Sequence, residues 1–354
     1  MIDLDSPEVY QRLDPAGMRE RIRELPQQCL KAWQQALDFK LPKKGYSNID
    51  KVVILGMGGS AIGGDLLKSL SALEKKALVL VQRDYDLPLF VDAKTLVIAS
   101  SYSGMTEETL SAFNQALSTP AKKLALTTGG KLKSIAEQNK IPVFTIDYVS
   151  SPRAAVGHSF LPLLGICQKL GIVSDKSKDV AEMAQVLNDL QATIDVNYPL
   201  KLNPAKQLAT KLYSHLAVIY GAGFLATAAQ RWKTQINENS KGWAFYEIFP
   251  ELNHNATVGY EFPADLAQRI FVVFLRSSRL HPRTLLRYKL TAEMLSQAKV
   301  SHEIIDAKGE SALSQMMSLV FFGDWVSYYL ALLNETDPSP VKVIDYLKKR
   351  LAES

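Results

Sequence analysis

The chain has 354 residues, 47% of them hydrophobic, which is enough for two domains with substantial cores. Its net charge of +5 comes from dispersed basic residues that do not alternate with aromatic ones, so a small anionic ligand suits it better than nucleic acid. It has no apolar run of about 18 residues and no apolar stretch behind the charged start MIDLDSPEVYQRL, and its two cysteines, Cys29 and Cys167, fit neither a disulfide framework nor a metal cluster. The expectation is a cytoplasmic protein with no membrane partner.

Residues 7–37 carry apolar positions at helical spacing, which predicts one or two helices ahead of the first sheet. KVVIL (51–55) is a short β-branched run ending in glycine, as a buried parallel strand requires, and a helix follows from about Ser60. Strand-like runs recur at 77–81, 95–100, 123–127 and 142–146, separated by helical stretches at 106–118 and 130–139. This alternation predicts a doubly wound parallel sheet. A mostly helical passage covers 154 to about 213. The pattern then restarts, with strands at 215–223, 269–277 and 301–306 and helices around 224–238, 282–298, 311–333 and 341–351. VVILGMGGSA and AVIYGAGFLA share an order of strand, glycine turn and helix, so one fold is used twice. The expected division is an N-terminal helical segment (1–40), a first α/β domain (41–155), a helical linker (156–205) and a second α/β domain (206–354).

ILGMGGSAIGGDLL (54–67) packs five glycines into nine positions behind the first strand. Gly56, Gly58 and Ala61 match a dinucleotide fingerprint, but no acidic residue closes the second strand. Asp84 falls late and after an arginine, leaving NADP as a weaker alternative. No G-x-x-x-x-G-K-[ST] is present, and close packing of helix on strand would explain the glycines without any ligand. ASSYSGMTEETL (99–110) breaks the tie. It sets Ser101, Ser103 and Thr106 around Gly104 at a helix start, where hydroxyls and free N–H groups hold an anion. A helix cap accounts for one hydroxyl; a phosphate cradle accounts for all three.

The stretch 231–261 is dense in polar groups amid aromatic ones, with Glu238 inside NENSK and His254 inside ELNHN. A carboxylate and an imidazole are the pair that aldose–ketose isomerisation uses, one to move a proton between C1 and C2, the other to open the sugar ring. Taken singly, a glutamate at a polar helix end is usually a surface residue and a histidine between asparagines usually a loop residue.

GGSAIGG and SYSGMTEET together resemble the sugar-isomerase (SIS) fold, the second through its S-x-S-G-x-T phosphate loop, with Met105 where asparagine is common. QINENSK and PELNHN, at their separation, resemble the signature of the bifunctional phosphoglucose/phosphomannose isomerases. The likeness extends to SPRAAVGHSF, YGAGFLATAAQRWK and the tail DPSPVKVIDYLKK. The resemblance implies two SIS-type doubly wound parallel-sheet subdomains of three layers, with N-terminal helices and a helical linker. It implies a metal-independent isomerase without cofactor that interconverts glucose 6-phosphate and mannose 6-phosphate with fructose 6-phosphate through a cis-enediol. It carries phosphate contacts onto Gly59, Ser60, Ser101, Ser103 and Thr106, the base onto Glu238, and enediolate stabilisation onto Arg153. His254 would open the ring from the neighbouring subunit of a homodimer. A C-terminal lysine would complete the site, with Lys348 aligning best and Lys342 and Lys349 as alternatives. On the residues alone, Arg153 after Pro152 is as readily a cap or a salt-bridge partner. A non-catalytic SIS module that senses a phosphosugar is the alternative function. It would have no need of Glu238, Arg153 and His254 together, and residues 1–40 show no helix-turn-helix to act on DNA.

Overall fold

In the computed structural model, which describes residues 2–42, 46–74 and 76–353, the N-terminal periodicity becomes three helices. These are α1 (Pro7–Leu13), α2 (Met18–Arg23) and α3 (Leu25–Asp38). In α3 the positions spaced by three or four, Leu25, Cys29, Ala32, Trp33 and Ala36, are the buried ones, as an amphipathic helix laid on a core demands.

The first sheet alternates with helices: β1 (Lys51–Leu55), α4 (Gly58–Ser71), β2 (Leu78–Gln82), β3 (Thr95–Ser100), α5 (Glu107–Leu117), β4 (Lys122–Thr127), α6 (Gly130–Gln138) and β5 (Val143–Thr145). All pairings are parallel, in the order β2-β1-β3-β4-β5. Helices cover both faces, which is why these strands read as continuous apolar runs. Val52 and Ile54 of β1 join the large core with α3, α4 and α7 (Val156–Lys169), while Val53 and Leu55 join a smaller one with Phe113 of α5 and Leu132 of α6. The chain leaves β1 toward β2 on one side and reaches β3 on the other. The loops after β1 and β3 therefore flank the switch point at the carboxyl edge, where open α/β sheets bind ligands.

Three helices separate the sheets: α7, α8 (Ser177–Ile194) and α9 (Pro204–Leu212). α7 is buried without interruption from Val156 to Cys167, wedged against α3 and α4, so it belongs to the core. The second sheet contains β6 (Leu216–Ala222), α10 (Ala226–Ser240), β7 (Ala244–Phe249), the single turn α11 (Ala264–Ala267), β8 (Ile270–Arg276), α12 (Pro282–Gln297) and β9 (Ser301–Asp306). It too is wholly parallel, in the order β7-β6-β8-β9. β7 was not foreseen. The aromatic stretch GWAFYEIFPEL, which suggests a core or interface loop, forms an edge strand with Phe245 and Tyr246 exposed, and among the described residues no strand pairs beyond it.

α13 (Ala312–Leu333) follows. Among the described residues it is the one helix long and apolar enough to cross a membrane, yet every residue from Leu313 onward is buried against α8, α9 and α10. α14 (Lys342–Ala352) closes the chain. α4 and α10 pack together, with Ser69 near the end of α4 hydrogen-bonded at 2.7 Å to Thr227 at the start of α10. They therefore run oppositely. The start of α4, at the carboxyl edge of the first sheet, lies beside the end of α10, at the amino edge of the second.

Candidate active site

Two loops of the first sheet build one half of the site. Gly59 lies so close to the Pro152–Arg153 backbone that an added Cβ would stand 2.7 Å from the Pro152 carbonyl carbon, so only glycine admits the contact. In the loop after β3, Gly104 holds a φ of +66° and folds the chain over the turn at Gly129. The Ser101 and Thr106 hydroxyls meet at 2.9 Å, just before α5 begins. Ser60 Oγ accepts from the Tyr102 N–H at 2.9 Å, and Ser103 Oγ from the Met105 N–H at 3.2 Å. Both hydroxyls thus keep their hydrogens for another acceptor. With Glu107 beginning α5, the unpaired N–H groups of its first turn add to a cradle shaped for an anion.

The other half forms around Arg153, which sits in a 3₁₀ turn (Pro152–Ala154) and is 4% exposed. Its Nε donates to Asn239 Oδ1 at 2.8 Å, and its Nη2 donates to the Pro338 and Ser339 carbonyls, both at 2.7 Å. Those donors are occupied. The Nη1 edge is left, and it faces Glu238 Oε2 at 3.6 Å. Burial pulls the guanidinium pKa down, and the Glu238 carboxylate acts in the opposite sense. Glu238 lies in the last turn of α10 with 27% of its side chain exposed, open to a ligand on one side.

Support for this pair comes from residues that sequence reasoning missed. Asn239 is locked by its Nδ2 donating to Ser327 Oγ at 3.0 Å. Arg231 pairs with Asp324 in the interior, Nη2 to Oδ2 at 2.7 Å, and donates at 2.9 Å to the Arg153 carbonyl. Lys241 ends α10 in the left-handed region, at φ +57°. Its Nζ donates to the carbonyls of Glu238 (2.7 Å), Asn239 (3.2 Å) and Pro338 (3.1 Å), and burial, followed by the nearby Arg153 charge, brings its pKa down to about 8. The signal was the run NENSK itself. At a helix end successive polar residues point in different directions, so each takes a separate task.

His254 stands elsewhere. It ends a 3₁₀ turn after β7, anchored through buried Leu252 and through Asn253, whose Nδ2 donates to Thr291 Oγ1 at 2.9 Å and whose Oδ1 accepts from Arg287 at 3.2 Å. Among the described residues the exposed imidazole makes no hydrogen bond or ion pair. α10 begins at Ala226 and carries Glu238, 12 residues on, about 18 Å back from the carboxyl edge of the second sheet. β7, 6 residues long, then returns the chain about 20 Å to that edge before His254. One chain thus holds Glu238 and His254 at opposite ends of the same sheet.

All three candidate lysines are exposed on α14. Lys342 comes three residues after Ser339, whose carbonyl meets Arg153, and Lys348 lies about 9 Å further along the helix. Lys349 pairs with Glu353 at 3.8 Å, whereas Lys342 and Lys348 have no hydrogen bond or ion pair among the described residues.

Residues 201–351 match the family model described as the bacterial phospho-glucose isomerase C-terminal SIS domain. A bifunctional phosphoglucose/phosphomannose isomerase from Caldicellulosiruptor bescii is 45% identical over 337 residues, covering 95% of this chain and 99% of that protein. Another of the same description, from Aquifex aeolicus, is 33% identical over 320 residues, covering 90% and 94%. Among solved structures, a glucose-6-phosphate isomerase-like protein from Thermus thermophilus aligns with a TM-score of 0.65 at 18% identity over 99% of both chains, a likeness of fold.

Proposed function

The chain belongs to the bifunctional phosphoglucose/phosphomannose isomerase family, and from that membership we propose how its site interconverts glucose 6-phosphate and mannose 6-phosphate with fructose 6-phosphate. The phosphate rests on the hydroxyls of Ser60, Ser101, Ser103 and Thr106, beside the Gly59 backbone and the first turn of α5. Glu238 removes the proton from the carbon next to the carbonyl and returns it to the neighbouring one. The resulting enediolate is planar at C2, so the two aldose epimers share a single intermediate and one base serves both. The developing oxyanion lies against the Nη1 edge of Arg153.

The observation that carries this reading is the Arg153–Glu238 pair: a buried guanidinium whose other donors are taken, with its free edge 3.6 Å from a part-exposed carboxylate. A phosphosugar sensor would need the cradle and not this pair. The test is to incubate the protein with fructose 6-phosphate and a metal chelator, without nucleotide. Both aldoses should form, with solvent deuterium entering at C2; no aldose would overturn the reading.

Ring opening falls to His254 of a second copy in a homodimer. The opposite placement of Glu238 and His254 in one chain supports this, as does the exposed edge at β7, where Trp243, just before the strand, is 78% exposed and its ring lies tilted 5.9 Å from that of Phe245. A C-terminal lysine, Lys348 or Lys342, completes the site. The two free, fully buried thiols, Cys29 and Cys167, suit a reducing cytoplasm.

A further inference from the structure

Tyr102 lies between the two serines of the phosphate loop, and its backbone is tied on both sides. Its N–H donates to Ser60 Oγ at 2.9 Å, and its carbonyl accepts from the Thr128 N–H at 3.0 Å and the Thr128 hydroxyl at 2.7 Å. The side chain reaches in another direction. Its phenol oxygen accepts from the Ser150 N–H at 2.8 Å and donates to the Tyr148 carbonyl. Residues 148–151 run directly into Pro152 and Arg153. Among the described residues, no other hydrogen bond joins 101–106 to 147–153.

Besides the Gly59 backbone packed on Pro152–Arg153 and the Arg231 bond to the Arg153 carbonyl, this segment is held by the N-terminal helices and α7. Arg21 donates to the Val149 carbonyl, Gln28 donates to the Ala154 carbonyl at 3.1 Å, and the Tyr148 ring stacks on His158 at 4.8 Å. The segment that sets Arg153 is thus gripped from several sides, and its hydrogen bonds to the loop after β3 run through one hydroxyl. Burial raises the Tyr102 pKa, so the phenol keeps its proton and goes on donating at neutral pH.

We propose that Tyr102 is a positioning residue that carries phosphate occupancy to Arg153. A phosphate on Ser60, Ser101, Ser103 and Thr106 orders the loop, and Tyr102 passes that order through Tyr148 and Ser150 to the Nη1 edge facing Glu238. The inference rests on the phosphosugar reading above and deepens it. Binding energy from a group remote from the reacting carbon raises the rate only if it changes the arrangement at that carbon. A ligand that contacts both arrangements equally shifts nothing. The Tyr102 hydroxyl is the hydrogen-bonded contact from the loop after β3 through which a difference can pass.

The experiment follows deuterium exchange at C1 of fructose, the ketose without its phosphate, with and without inorganic phosphite, in the wild type and in Tyr102→Phe. Phosphite should speed the wild-type exchange, and the speed-up should be about tenfold smaller in the variant, the size of one lost hydrogen-bonded contact. Competitive inhibition of fructose 6-phosphate turnover by inorganic phosphate should stay within about twofold, since the cradle hydroxyls are untouched. The speed-up is a ratio and does not depend on how much protein is folded, so a destabilised variant does not mimic the result. An equal speed-up in both proteins, no speed-up in the wild type, or weakened phosphate inhibition in the variant overturns the coupling while the isomerase reading stands. A wild type that does not turn over fructose 6-phosphate overturns both.

Discussion

Arg153→Lys keeps the charge and removes the shape. The native guanidinium meets Asn239 Oδ1, the Pro338 carbonyl and the Ser339 carbonyl through Nε and Nη2 while presenting Nη1 to Glu238. A lysine ammonium carries its three donors on one atom and cannot reach acceptors on one side while facing a carboxylate on the other. Either the 337–339 strap keeps a donor or the reacting oxygen does. Losing one oxyanion donor costs about 10²–10³-fold in kcat. Buried acceptors left without a donor cost about 1–3 kcal/mol each in stability. The expected outcome is therefore a fall in kcat of at least about a hundredfold with a smaller change in KM, because the phosphate cradle is intact, and a lowered Tm. A coupled assay of glucose 6-phosphate formation from fructose 6-phosphate measures both constants, and thermal unfolding measures the second effect. A kcat within about threefold of wild type would refute the assignment of the Nη1 edge to the oxyanion, whatever the change in Tm.

Glu238→Gln keeps size and polarity but cannot accept the carbon-bound proton. Isomerisation and solvent deuterium exchange should fall together by at least about 10²–10⁴-fold, with inhibition by inorganic phosphate unchanged; exchange that survives would assign the base elsewhere. Mixing inactive Glu238→Gln chains with inactive His254→Ala chains and letting subunits exchange should restore about a quarter of wild-type activity. About half the dimers would be hybrid, each with one intact site, and no recovery despite exchange would place both residues in the same chain's site. His158 is 1% exposed, and burial lowers its pKa from 6.5 to about 4. Between those values the unfolded chain binds a proton that the native one does not. The stability is therefore fully present above pH 6.5 and falls by about 3 kcal/mol as pH drops to 4. Urea unfolding at pH 7 and pH 4.5 should show a smaller acid loss in His158→Phe than in wild type, and equal losses would contradict the assignment.

Much of the fold was legible because its signals are local. Apolar β-branched runs broken by glycine mark buried parallel strands, and SHEIID coincides with β9 because strand period and turn chemistry act within a few residues. The hydroxyl-lined turn after β3 was legible for the same reason, since its serines, threonine, glycine and helix start lie within six positions of one another. β7 was not legible. Its alternation is blurred by aromatic residues on both faces, and only pairing with β6 makes the stretch a strand.

What the sequence by itself determined is therefore the alternating α/β architecture, the glycine-lined turns and the chemical character of each loop. Tertiary structure alone decided which loops meet. Arg153 finds Asn239 and Pro338 at 86 and 185 residues' separation. It does so because α4, α7, α10 and α13 stack the carboxyl edge of one sheet onto the amino edge of the other. The same stacking brings Glu238 to Arg153 and leaves His254 at the far end of the second sheet. Propensity and periodicity act over one or two turns of chain, whereas these meetings depend on how whole helices bury one another, and no local pattern encodes that.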